Sequence, residues 1–274
     1  MMFEQRRAHS MLGAVGTTLR LIYNQTSHNL RQRDHNVIMV IAQDVIQSVL
    51  LVGMFVAMYW VLGISTSPLR GDHLLFIMTG MGIYLTHTKA VAAAAMASPN
   101  NPILQHGPIN TTILFVAGAL SALYSQVIAM AAILLAYHFF GNPIDIEYPI
   151  GALAMFLLAW FYGIAVGLVI VAISPWWPRG ATIARQVYQR VNMIASGKMF
   201  VANAMPLVLL NMFDWNPLFH IIDQLRGDVF VNYIPRNSNV WHPLIVSLAV
   251  LMVGLMLEFF TRKSQSRSWS NRAV

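Results

Sequence analysis

Long uninterrupted apolar runs constrain this chain more than any other feature. Several exceed the ~18 residues that let a helix cross a bilayer. The stretch from Ile150 to Ile173 contains no charged residue at all. Over 274 residues, 57% are apolar and only 10% are charged, against roughly 25% charged in soluble domains. A secreted domain, a cytosolic enzyme and a disordered tail are excluded. The expectation is an all-α polytopic membrane protein.

The formal net charge is +7, from 17 Lys and Arg against 10 Asp and Glu. In a soluble protein this would suggest nucleic acid. Here the basic residues are read as orienting the chain in a membrane, and no nucleic-acid partner is expected. There is no cysteine, so disulfides, thiolate metal sites and a cysteine nucleophile are excluded.

Residues 1–36 read as a cytoplasmic tail with an interfacial helix. Leu12, Val15, Leu19 and Ile22 form one apolar stripe between Met11 and Leu30, as in a helix lying in the membrane interface. No apolar signal-peptide core follows Arg7. Six spans are then predicted within 37–260: Val37–Leu62, His73–Ala95, Ile113–His138, Ile150–Ile173, Val187–Leu210 and Pro243–Phe260. The fifth is interrupted by Gln189, Arg190, Asn192, Ser196 and Lys198. With the N-terminus in the cytoplasm, only Arg70, Lys198, Arg226 and Arg236 fall on the far side, and the other thirteen Lys and Arg are cytoplasmic. Both termini are therefore expected in the cytoplasm, the second being a basic tail over 261–274.

Residues 205–241 are too apolar for a solvated loop, yet prolines and a glycine break them. Asn216-Pro217 is a helix start and Gly227 a helix stop. The short helix Leu218–Arg226 cannot span a bilayer, so re-entrant helices before the sixth span are expected.

Polar groups inside spans are functional candidates. Gln43, Asp44 and Gln47 share a face of the first span, read either as a helix contact or as a cavity lining. Lys89 is read as snorkelling from the second span to the headgroups. Lys198 is read as an internal salt bridge, with Asp44 as one partner, or as part of a polar pathway. Gly163 and Gly167 form a GxxxG, a candidate dimer face. His220, Asp223 and Arg226 recur every three residues on the short helix, read as an internal salt bridge rather than a catalytic pair. Tyr59, Trp60, Trp176, Trp177, Trp215 and Trp241 mark span ends. The nine histidines form no metal-ligand pattern, so neither a metal centre nor a catalytic centre is expected. The only Gly-Lys is Gly197-Lys198, followed by Met199, and Asn192 occupies the earlier glycine position. The chain has no phosphate-binding P-loop.

The stretch Asn216-Pro217-Leu218-Phe219-His220-Ile221-Ile222-Asp223-Gln224-Leu225-Arg226 resembles the NPLxHxxExxR stretch of ABC-2 type permeases that export capsular polysaccharide, with Asp223 where that group has Glu. Ser196-Gly197-Lys198-Met199-Phe200 resembles the small-residue turn of the fifth span. The early Leu-Glu-Pro of the family is replaced by Ala42-Gln43-Asp44.

The resemblance implies a half-transporter in the bacterial inner membrane that pairs with a second copy and with a homodimer of an ABC ATPase. ATP and Mg would be bound by the ATPase, and no cofactor by this chain. The connector 96–110 would dock on the ATPase through Ile103, Leu104, Gln105 and His106. Gln43, Asp44, Gln47, Tyr59 and Lys198 are the channel-lining candidates. Asn216, Pro217, His220, Asp223 and Arg226 would frame the exit. The cargo would be a lipid-linked polysaccharide, and a periplasmic copolymerase would join the assembly. Other readings are an ABC exporter of another lipid or drug, an intramembrane transferase using His220 and Asp223, and a proton-coupled carrier using Asp44 and Lys198.

Overall fold

The computed structural model describes residues 11–33, 37–63, 69, 72–95, 97 and 111–270. Every regular element among them is helical. The helices are α1 Met11–Arg33, α2 Val37–Val61, α3 His73–Ala95, α4 Thr111–Phe140, α5 Pro149–Ile173, α6 Pro178–Ala195, α7 Leu207–Phe213, α8 Pro217–Val229 and α9 Trp241–Ser270. A 3-10 turn at Ala202–Ala204 precedes α7. Five helices, α2, α3, α4, α5 and α9, are long and apolar enough to cross a membrane. The first four match their predicted spans to within two residues. The last runs on through the predicted tail to Ser270. Pro149, Pro178 and Pro217 open α5, α6 and α8, where a missing N–H costs nothing.

α3 is the hub, buried on nearly all sides. Lipid gives apolar helices no reason to prefer one another, so close packing of small residues and interhelical hydrogen bonds hold such bundles together. On α5, a Cβ at Gly163 would lie 2.6 Å from the His87 carbonyl oxygen, and one at Gly167 would lie 2.4 Å from Ala94 Cβ. The GxxxG predicted as a dimer face is therefore an internal seam with α3. His87 crosses the same seam, its Nδ1 3.2 Å from the Ala159 carbonyl and its Nε2 2.9 Å from the Tyr188 hydroxyl.

Contacts fix the direction of each helix. Asp44 meets Lys89, so α2 and α3 are antiparallel. Gly82 meets Met130 and Gly118 meets Ala93, so α3 and α4 are antiparallel. The Gly163 and Gly167 contacts make α3 and α5 parallel, and Gly254 against Leu168 makes α5 and α9 parallel. One end of the bundle gathers Thr112, Ala172, Trp176, Thr261 and Arg262. The opposite end gathers Asp72, Tyr137 and Asn142, with the Tyr148 N–H donating to the Asp228 carbonyl nearby. The first end is where α6 begins, and the second is where α9 begins. Residues 178–241 therefore traverse the bundle once.

That traverse departs most from expectation. The hydropathy pattern predicts a single apolar span over Val187–Leu210. Instead α6 starts at Pro178 and stops at Ala195, because Gly197 adopts φ +65, a left-handed conformation that ends helices. The chain then folds back through α7 and restarts as α8, whose first turn lies beside Asn192 and Ala195. α8 also runs past the predicted stop, to Val229. Gly227 is a close approach rather than a terminus: a Cβ there would meet the Pro235 ring at 2.7 Å. α1 packs on α4 and α2. The stripe residues Val15 and Leu19 are exposed.

Candidate functional site

The break after α6 is the first half of the site. Lys198 lies level with Gly80 of α3, where a Cβ would sit 2.7 Å from the Lys198 carbonyl oxygen. Gly80 is seven residues from the start of α3, roughly 10 Å along the axis. Ser196, Gly197, Lys198, Val201 and Ala202 are buried. Buried non-helical backbone needs hydrogen-bond partners, and most carbonyls here have a side-chain donor. Asn216 Nδ2 donates to Ala195 at 2.9 Å. Arg226 Nη1 donates to Phe200 at 2.6 Å and Gly197 at 3.3 Å, and its Nη2 donates to Lys198 at 2.5 Å. The Tyr59 hydroxyl donates to Met199, and Asn237 Nδ2 donates to Ala202 at 3.3 Å.

Most polar residues at and within α8 brace backbone or loop. Asn216 Oδ1 accepts from the Leu218 N–H at 3.1 Å as the helix cap, and Asn216 Nδ2 also reaches Asn192 Oδ1 at 2.9 Å. Pro217 fills the next position. His220 Nδ1 accepts from the Asn239 N–H at 3.1 Å, which leaves Nε2 to donate to the Asp214 carbonyl at 2.6 Å. Asp223 accepts from the Tyr233 hydroxyl and, at 2.7 Å, from Ser238 Oγ. Burial, with the Asp223 carboxylate beside it, pushes the Tyr233 phenol well above its ordinary value, so Tyr233 remains a donor. The expected salt bridge within His220, Asp223 and Arg226 is not formed. Arg226, 1% exposed, lies with its guanidinium 4.0 Å from the Phe76 ring and turns to the carbonyls of the break. The planar guanidinium presents several donors at once, so one side chain reaches the carbonyls of Gly197, Lys198 and Phe200.

The second half of the site is an open groove of about 750 Å³ between α2, α3 and α6. Gln43 and Gln47 line it, with Tyr84, Thr88 and Lys89 of α3 and Gln189 of α6. Gln43 and Gln47 are exposed, whereas Asp44 between them is buried. The Asp44 carboxylate accepts from Lys89 Nζ at 2.8 Å. Lys89 therefore pairs across α2 and α3 rather than snorkelling away, and Asp44 is not the partner of Lys198. Pairing removes most of the cost of burying the carboxylate. From Gln43 to Met54 the groove climbs eleven positions of α2, about 16 Å.

Lys198 sits beyond the upper end of the groove. It is 1% exposed. Its ammonium lies 3.4 Å from the centroid of Tyr84 and 5.4 Å from that of Phe55. No hydrogen-bond acceptor reaches its Nζ among the described residues. Tyr59 is buried and bound to the break rather than open to the groove, unlike Trp60, Trp176, Trp177, Trp215 and Trp241, which are exposed.

Ile103, Leu104, Gln105 and His106 lie outside the described residues. Sequence reasoning missed Tyr84, Thr88 and Gln189 as groove residues. Tyr84 and Thr88 are four apart and so share a face of α3, a signal present in the sequence. Gln189 is visible there only as an interruption of the fifth span. Among the described residues, no group of three His, Cys, Asp or Glu could hold a metal ion. The sequence matches no protein-family model and has no significant match among curated proteins.

Proposed function

We propose that this chain is the permease subunit of an ATP-driven ABC-2 type exporter. Its cargo is a lipid-linked capsular or other cell-surface polysaccharide, moved from the cytoplasm across the bacterial inner membrane. The observation that carries the reading is the Asn216–Arg226 stretch. It resembles the family motif in sequence, and it forms a helix beginning deep in the bundle that braces a broken crossing. The five apolar helices and that broken crossing together make six traverses, with both termini on the cytoplasmic side.

The groove suits such a cargo chemically. Glutamine amides donate to and accept from sugar hydroxyls, and the Thr88 hydroxyl, whose own hydrogen is spent on its helix, can still accept; the Tyr84 ring offers an apolar face. A second copy of the chain would complete the channel. An ATPase homodimer would dock on residues 96–110, and a periplasmic copolymerase would continue the path. The transferase reading has less support, because His220 and Asp223 already hold loop backbone and side chains. The carrier reading loses its charge pair, because Asp44 is bound to Lys89.

The test is a mild-detergent pull-down of the tagged chain from its native membranes. A stoichiometric P-loop ATPase is the expected companion. Recovery of the chain without any ATPase, in detergents that preserve such complexes, would overturn the proposal.

A further inference from the structure

Lys198 is the least comfortable residue in the molecule. A buried ammonium normally has a carboxylate or several acceptor oxygens around it, because an unpaired buried charge is costly. Asp44, the acidic residue of the adjoining groove, is held by Lys89. Among the described residues, no oxygen of the break reaches the Lys198 Nζ: the carbonyls of Ala195, Gly197, Lys198, Met199, Phe200 and Ala202 accept from other donors, and the Ser196 hydroxyl is itself without a partner. What Lys198 has instead are the π faces of Tyr84 and Phe55. These attract a cation but leave its three hydrogen-bond donors unused.

The groove ends at this point. Tyr84 belongs to both places: its ring lines the groove and also carries the Lys198 ammonium. Its hydroxyl is held by a 3.2 Å bond to the Gln189 carbonyl, the long end of the hydrogen-bond range. A rotation of this one ring would open Lys198 to a groove whose other cation, Lys89, is already paired.

We infer that Lys198 is an oxyanion-binding residue at the closed end of the groove, reached when the Tyr84 ring turns aside, and that its ligand is a phosphate group. Two sources share that chemistry: a phosphate carried on an apolar chain, and free inorganic phosphate. The largely apolar groove wall of Ile46, Leu50, Leu51 and Met54 favours the first. The inference rests on the groove being a cargo path only in identifying the phosphate with the cargo. The binding itself is a property of this chain alone.

The experiment uses the full-length chain, purified in dodecyl maltoside without any ATPase. Dodecyl phosphate and inorganic phosphate are the probes, each titrated by calorimetry against wild type, Lys198→Met and Lys198→Gln. Dodecyl phosphate should bind wild type at least tenfold more tightly than either variant. Lys198→Met should melt at the same temperature as the unliganded wild type or higher, since an unpaired buried charge has been removed. That result separates lost binding from lost folding. Inorganic phosphate binding as tightly as dodecyl phosphate would assign the site to the free ion. Equal dodecyl phosphate affinity in wild type and both variants, or no binding to wild type, would overturn the inference. Neither result bears on whether an ATPase co-purifies, so this inference and the transporter reading fail separately.

Discussion

The break after α6 and the groove beside it are made of similar residues used in opposite ways. In the break, Arg226, Asn216, His220, Asp223 and Tyr59 all have partners, most of them backbone groups. In the groove, Gln43 and Gln47 face open space and Lys198 waits at one end without an acceptor. The residues that look most chemical in the sequence are thus the braces. The plain glutamines line the open groove, and one buried lysine lacks an acceptor among the described residues. A spaced His, Asp and Arg on a short helix signals a difficult backbone to hold as readily as it signals catalysis.

The largest effect should come from the brace itself. Arg226→Leu leaves the Lys198 and Phe200 carbonyls in a buried turn without their donor, and should destabilise the protein by about 4 kcal/mol. Thermal unfolding in detergent should show the loss. Arg226→Lys should recover little, since one ammonium cannot fork across Lys198 and Phe200. Full stability in Arg226→Leu would erase the distinction between the two regions.

Next is the charge pair at the lower end of the groove. Asp44→Asn removes the carboxylate from its 2.8 Å contact with Lys89 and should cost about 3 kcal/mol. The double variant Asp44→Asn with Lys89→Met should regain most of it, because both charges of the pair are removed together. A double-mutant cycle on melting temperatures measures the coupling.

His220→Ala removes two hydrogen bonds to loop backbone and should cost about 2 kcal/mol. Surface glycan should still be exported where the protein accumulates. Loss of export with unchanged protein level would instead revive the transferase reading.

The smallest change in stability belongs to the groove. Gln43→Ala with Gln47→Ala should stay within about 0.5 kcal/mol of wild type. Export, measured as surface glycan per molecule of permease, should nonetheless fall severalfold. Unaltered export would remove the groove from the path.

Much of the fold is legible in the amino-acid pattern. Four helices lie within two residues of the spans that hydropathy predicts, because an apolar run longer than ~18 residues has only one inexpensive conformation in lipid. The helix start at Asn216-Pro217 is legible for an equally local reason: a side-chain cap followed by a residue with no N–H. The fifth span misleads because its pieces are individually compatible with one long helix. Only the contacts of Gly197 with α8 and of Gly80 with Lys198 explain why the chain breaks there. Partners are the least legible part. Sequence offers Lys198 to Asp44, yet Lys89 takes its place, since sequence gives the depth of a residue along its helix but not which neighbour it faces.

By itself, the sequence determined that the chain is helical and where four of its long apolar helices begin and end. These follow from hydropathy and capping, which act over a few residues. Tertiary structure alone decided that Gly163 and Gly167 close an internal seam, that Arg226 braces a broken crossing, and that Lys198 is left without an acceptor beside an open groove. Each of those depends on which faces meet across helices far apart in the chain, and that is set by packing rather than by any local pattern.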